Sequence, residues 1–508
     1  MAATLTLENY TVRAIDKWPF ECLTGRRKIK TPVREITEGN VRDVLSTALA
    51  NHALNVGEIN YLWDFYRGKQ DIRNKEKFVR EVINNKVCVN RANEIVTFKT
   101  AYLLNEDVQY VCNGGEDSTV NDIIRLNEYM RAEDKASKDK EIVDWVHICG
   151  VAPRLVLTDA MANKDYGAPY YIYTLDPREA FVIYSSRIGE NPMAGVVIQK
   201  DENEQLYATI YTENRVFTVT KDTVSSEGHT LGGIPLVEYI NNVARMGAFE
   251  AVIPILNAIN QLESDAVDSV QDFVNGFDVF QNCDIADGSY QQLGIGNKAV
   301  KIKTVEQGME AKVYRVASEI SQSGVQSRID DLTDAYITIC GMPNRNGGSS
   351  TSDTGTAVIF RDGFFEAESR AKDTEKLFKR SEREFLRIVL NICSVKGGLN
   401  LDLKDIEINF ARKNLNNLQS RFQCLSEGLA NDWIHPKLVY DAFGDIFGDK
   451  TAAYRLSSEW HEKTKQEEAK ELAEQLDQER SRINGNAGTV PTGRQDDSKS
   501  DPNGGKEV

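Results

Sequence analysis

Residues 251 to 393 set two long helical patterns around a short glycine-punctuated insert and a polar loop, and few folds accommodate that order. From 251 to 280, Ile255, Ile259, Leu262, Ala266, Val270, Phe273 and Phe277 recur at steps of three and four, which predicts one amphipathic helix. At full length it would span about 45 Å, long for a globular helix. Pro254 suits its first turn, where the missing N–H costs little. Its other faces carry Glu263, Asp265, Asp268, Asp272 and Asp278. Cys283 to Val316 follows, with Gly288, Gly294, Gly296 and Gly308 as turn signals and 299–303 and 311–316 as strands. Helical spacing resumes from Ser318 to Ile339, so the plan is one helix out, a small tip and one helix back. Residues 341–356, GMPNRNGGSSTSDTGT, must be a loop. A second long helix is predicted from Ala357 to about Cys393.

The flanking regions differ in period. Residues 1 to about 160 read mainly as helices: Val41, Val44, Leu45, Ala48 and Leu49 mark one, Tyr61-Leu62-Trp63 a second short one, and Ile95, Phe98 and Tyr102 a third. From 168 to 240 the runs YYIYTL, AFVIYS, AGVVIQ, LYATIYT and RVFTVT predict an antiparallel sheet, with Thr212 to Arg215 as a hairpin turn. Residues 403–410 alternate as a strand, and 416–483 is helical again. The Gly-, Pro- and Ser-rich stretch 484–508 has no aromatic residue and is expected to be a disordered tail. The fold class is α+β, mainly helical.

A chain of 508 residues predicts several packed units, and its 41% hydrophobic and 27% charged residues suit a soluble globular protein. The net charge of −16 argues against a tight sheath around DNA, which would need a cationic contact surface. The eight cysteines form no CxxC pair and read as reduced. No signal peptide or membrane span is evident, so the protein is expected in the cytoplasm or in a particle assembled there.

The tools of common enzymes are missing: no GxxxxGK[ST] loop, no GxGxxG, no HExxH and no GxSxG. No catalytic residue, cofactor or metal is expected. His147 and Cys149 read as packing rather than ligands, and the 347–352 run reads as a flexible loop rather than a phosphate cradle. A metal-dependent nucleic-acid-processing enzyme, or another capsid or tail structural protein, stands as the alternative.

Several motifs then resemble one family. Asn90-Arg-Ala-Asn93-Glu-Ile95-Val96 with Thr100-Ala-Tyr102-Leu103, then Leu175-Asp176-Pro177 with Phe181 to Tyr184, and above all Gly233-Ile-Pro-Leu-Val-Glu-Tyr239, Asn241-Asn242, Phe249-Glu250 and Ile259-Asn260 are similar to the phage portal proteins known from siphophages of Gram-positive hosts. The resemblance covers roughly 40 to 480. The family's Gly and Pro after Tyr-Leu are absent here, where Leu104-Asn105-Glu106-Asp107-Val108 stands.

The resemblance implies a portal fold assembling as a ring around a central channel. Residues 1–250 with the 403–412 strand would be the wing, 251–280 and 318–339 the stem, and 281–317 the clip. The tunnel loop would be 341–356, followed by the 357–393 helix and the crown at 414–483. It implies a dodecameric homo-oligomer in the virion at one capsid vertex, assembled in the host cytoplasm. Implied partners are the terminase, major capsid protein and scaffold, head-completion or adaptor proteins, and double-stranded DNA passing non-specifically, with no membrane. Channel- or DNA-facing candidates are Glu263, Asp265, Asp268 and Asp272 of the stem and Asn344, Arg345, Asn346, Ser349, Ser350 and Thr351 of the loop. Lys298, Lys301, Lys303 and Lys312 are the clip's candidate partner contacts.

Overall fold

The computed structural model describes residues 25–485 except 79–80, 113–116, 159–166, 275–276, 286–301, 305–311, 317–321, 345–362, 411–417, 432 and 448–449. The chain divides into two units, 1–419 and 420–508.

In the first unit, strands β5 (Ala180–Ser185), β6 (Pro192–Lys200), β7 (Leu206–Tyr211), β8 (Arg215–Val219) and β9 (Val224–Gly228) form an antiparallel sheet, and β1 (Ile29–Thr31) adds to it parallel to β5. The predicted turn is present: Thr212 N–H donates to Arg215 O at 2.8 Å. Alternation along the strands sends Phe181 and Ile183 to helix α1 (Val41–Tyr66), where Val41, Val44, Leu45, Ala48 and Leu49 meet them. Ala180 and Val182 face the other way, onto Leu155 and Leu236 of a three-stranded sheet, β10 (Leu236–Ile240), β3 (Val151–Leu157) and β4 (Tyr171–Thr174). The two sheets approach at Gly195, where a Cβ would lie 2.3 Å from that of Leu236, so only glycine fits.

Two readings of the first 160 residues are corrected. Helix α1 is continuous through Tyr66, not a helix followed by a second short one, because nothing between Leu49 and Tyr61 breaks it. The region also holds β1, β3 and β2 (Gln109–Cys112). Strand β3 is buried along nearly its whole length, and Pro153 and Arg154 interrupt the apolar run by which such a strand is recognised.

Helices α2 (Arg91–Leu103), α3 (Asp117–Ala132) and α4 (Lys135–Cys149) complete this side. The predicted 403–412 strand is the shorter β15 (Ile406–Asn409), paired antiparallel with β2.

The first long helix is also shorter than its pattern. Helix α5 runs Ile253–Val274, and Phe277 belongs to β11 (Phe277–Gln281), which also carries Asp278. Asn275-Gly276 is ordinary helix-stopping sequence, and Phe277 fell on the helical spacing by coincidence. β11 pairs with β14 (Lys312–Val316), and β12 (Cys283–Ile285) with β13 (Ile302–Thr304), giving a nested antiparallel ribbon at the tip. Helix α6 (Gln322–Cys340) returns, and α7 (Phe364–Ile392) follows. The predicted start of that helix, 357–362, lies outside the described residues.

The second unit contains α8 (Leu418–Leu429, beginning just before the boundary), α9 (Pro436–Phe443) and α10 (Lys450–Gly485) around Leu425, Val439 and Tyr440. His435 caps α9 by accepting the Lys437 N–H at 3.1 Å, with Pro436 in the first turn. The expected tail lies outside the described residues from 486 onward.

Candidate functional site

The paired helices α5 and α6 carry the sequence's main site candidates. Their base is apolar. Val252, Ile253, Leu256 and Ile259 pack with Ile59, Leu62 and Phe65 of α1, Ile95 and Val96 of α2, and Tyr336 and Cys340 of α6. Cys340 Sγ reaches Ala248 O at 3.7 Å, so α6 ends where α5 begins and the two run antiparallel. The approach to α5 is set by Glu250, which accepts the Gly247 N–H at 2.7 Å and pairs with Arg26; Arg26 also pairs with Glu58 at 2.9 Å. All three are buried.

Beyond Ile259 the chemistry changes. Residues 84–90 have no strand partner and run along α5 as an extended strap. Its backbone is satisfied by helix side chains: Val89 N–H donates to Asn260 Oδ1 at 2.8 Å, Val87 N–H to Ser264 Oγ at 3.0 Å and Asn85 N–H to Asp268 Oδ1 at 2.7 Å. The spacing is physical: four helical residues rise about 6.0 Å and two extended residues cover about 6.6 Å, so every second N–H meets every fourth side chain. The chain comes up the same helix beforehand, with Asp71 at Asn257 (2.8 Å) and Lys75 at Asp265 (2.8 Å).

Asp268 closes this ladder. It also takes Lys75 and Lys77, each at 3.1 Å, and is 1% exposed. Burial would raise its pKa, but the Asn85 hydrogen bonds and the two lysines outweigh that and hold it well below the ordinary carboxylate range.

The predicted stem acids therefore separate. Asp268 is turned into the strap of its own subunit. Asp265 is about half exposed and pairs with Lys75. Glu263 is half-buried, near enough to help hold the Arg91 charge. Asp272 lies on α5, outside the described side chains. Exposed acids missed by the sequence reading are Asp330, Asp331 and Asp334, on the face of α6 opposite buried Ile329, Tyr336 and Cys340. Their apolar-opposed spacing was readable. The strap's signal was charge: residues 67–91 carry eight Lys and Arg against three Asp and Glu, in an acidic chain.

Of the loop candidates, Asn344 is described; its Nδ2 donates to Asp334 Oδ1 at 3.0 Å. Arg345, Asn346, Ser349, Ser350 and Thr351 lie outside the described residues. The two ends of that segment meet. Gly363 has φ +82°, and a Cβ on it would lie 3.5 Å from Pro343 Cα. Arg370 of α7 donates to the carbonyls of Ile339 and Thr338, capping α6 from across the loop. At the tip, Lys303 is on β13, Lys312 is exposed on β14, and Lys298 and Lys301 lie outside the described residues.

Helix α7 is tied to the sheets by a buried polar cluster. Glu382 accepts from Tyr239 Oη at 2.6 Å and from Tyr110 Oη, and pairs with Lys135 at 3.0 Å and Arg154 at 3.5 Å; Arg154 also pairs with Asp139 at 2.5 Å. Burial would raise the Glu382 pKa, yet Lys135 and Arg154 outweigh it and keep the carboxylate charged.

His147 and Cys149 are absorbed in packing. His147 Nδ1 meets Thr100 Oγ1 at 3.1 Å, and burial with nearby Lys99 pushes its pKa down to about 3. Burial pushes the Cys149 thiol up to about 12. Among the described residues no group of three His, Cys, Asp or Glu could hold a metal, and no helix is long and apolar enough to cross a membrane.

Residues 45–481 match the family model described as "Phage portal protein, SPP1 Gp6-like". No curated protein sequence matches the chain. A chain of a solved structure entitled "Neck of empty GTA particle computed with C6 symmetry" is similar at TM-score 0.40 and 9% identity, over 69% of this chain and 89% of that one.

Proposed function

Given that the chain belongs to the SPP1 Gp6-like phage portal protein family, we propose that its copies close into a dodecameric ring at one capsid vertex, with α5 and α6 as the channel wall. The observation that carries this reading is the antiparallel pair itself: rooted in the apolar core of α1 and α2, it ends in a small ribbon and is followed by a segment whose two ends meet. In this reading the wing comprises residues up to about 250 with β15, the ribbon is the clip, the 341–356 segment is the tunnel loop, and the helices after 414 are the crown.

DNA crosses the wall without being gripped, because α5 carries no Lys or Arg of its own and Lys75 beside it is already paired with Asp265. Helical geometry, about 100° per residue, places exposed Gln261 and half-exposed Asp265 on a side distinct from the α6 contact and beside residues 71–77, and this side faces the channel. Glu263 lies on another side and Asp268 serves the strap. Arg345 and the Asn and Ser residues of the loop touch the DNA backbone non-specifically.

The clip, with Lys303 and Lys312, meets the terminase and later the head-completion proteins; the wing meets capsid protein and scaffold. The family's role is structural rather than catalytic. Heads assembled without this protein should contain no packaged DNA in a terminase-driven assay, and heads that fill normally without it would refute the proposal. Neutralising Asp265 to Asn should slow packaging at low salt more than at high salt.

A further inference from the structure

Helix α7 presents a row of cations on one exposed face. Lys372, Lys376, Arg380, Arg383 and Arg387 follow one another at helical steps of four and three, and all of them are exposed. At about 100° and 1.5 Å per residue they fall within about 80° of one another around the axis and span roughly 22 Å. Three have acidic neighbours on the same helix: Lys372 with Glu368 at 3.6 Å, Lys376 with Asp373 at 2.8 Å and Arg387 with Glu384 at 2.6 Å. These pairs stand in solvent and hold their cations weakly. Arg380 and Arg383, at the centre of the row, make no ion pair or side-chain hydrogen bond among the described residues. Like charges three or four residues apart on a helix repel, so the row costs the fold stability. From 372 to 387 the other exposed residues are Asp373 and Glu384, so this face offers a protein partner no exposed apolar side chain to bury.

Granted the portal reading, in which DNA passes this protein, we propose that the row holds the phosphate backbone of double-stranded DNA, with Arg380 and Arg383 as its principal contacts. DNA carries one charge per about 3.4 Å on each strand, so phosphates are dense enough to meet every cation of the row. A guanidinium offers a phosphate two parallel donors, and such contacts are blind to sequence. The net charge of −16 does not prevent this, because at physiological salt a charge is felt over only about 8 Å. It makes the contact weak and reversible. Helices α5 and α7 thus divide the work: the helix without cations lets DNA slide, and the helix with the row steadies it.

The purified full-length chain, titrated into a fluorescent DNA duplex of arbitrary sequence and read by anisotropy between about 50 and 200 mM salt, tests the assignment. Arg380→Glu with Arg383→Glu is compared with Arg187→Glu with Lys200→Glu, two exposed sites elsewhere whose reversal changes the net charge equally. The α7 pair should weaken binding at least about tenfold and lower the slope of log affinity against log salt by about 2, and the control pair should do neither. Arg380→Gln with Arg383→Gln should weaken binding too, while the unfolding temperature stays level or rises as like-charge repulsion is relieved. Equal weakening by the control pair, α7 variants that bind as the parent does, or a parent that binds no duplex overturns the assignment. Variants that keep DNA binding but no longer form rings give the row to a neighbouring copy instead. A parent that forms no rings, yet loses DNA when Arg380 and Arg383 are changed, refutes the ring and leaves this site standing.

Discussion

The two halves of α5 are held by different physics. Up to Ile259 the helix is buried in an apolar core shared with α1, α2 and α6; from Asn260 to Asp268 it is held by polar side chains spaced to meet a strap's N–H groups. Apolar burial is strong but does not specify register, because it is non-directional. The ladder adds less free energy but one register: sliding the strap by one residue would leave Asn85, Val87 and Val89 N–H groups without acceptors and Asp268 without its lysines. A wall helix of the proposed ring needs both properties.

The largest effect should come from breaking the apolar half. Leu256→Ala should cost about 3 kcal/mol in urea unfolding, with little dependence on salt. Losing the polar half's closing residue should cost less and behave differently. Asp268→Ala should remove about 2 kcal/mol, and amide exchange at Asn85, Val87 and Val89 should accelerate while the α1 core amides do not. Equal acceleration in both places would erase the distinction. Ser264→Ala should cost about 1 kcal/mol and expose chiefly the Val87 amide.

The smallest test is pH. The Asp268 pKa is depressed in the folded chain, so its contribution is fully present above the unfolded value near about 4 and is lost as pH falls through the folded value. The stability gap between the parent and Asp268→Asn should stay level from pH 7 to about 5 and narrow only in stronger acid. A gap that closes near neutrality would mean that the carboxylate is not held as the structure has it.

The same contrast explains what could be read from sequence. Strands β5 to β8 and the hairpin at 212–215 were legible because each strand is a short run rich in β-branched and aromatic residues and the hairpin is a polar turn. Strand β3 was not, because Pro153 and Arg154 interrupt its apolar run and it follows helix α4 after Gly150 alone. The helical spacing of Ile255, Ile259 and Leu262 located α5, but the pattern carried past Val274 because Phe277 coincided with it. A helical pattern says which side a residue is on, never what lies there. Asp268 therefore read as a solvated acid, although lysines about 190 residues earlier neutralise it. The cationic excess of 67–91 beside an acidic helix was the clue available.

Electron-microscopic reconstruction of the purified full-length chain tests the central claim most directly. The account predicts closed rings whose hole is bounded by α5 and α6 pairs standing side by side, with the β11–β14 ribbon at one end. Monomers, open filaments, or rings whose hole is lined instead by the β5–β9 sheet would contradict it.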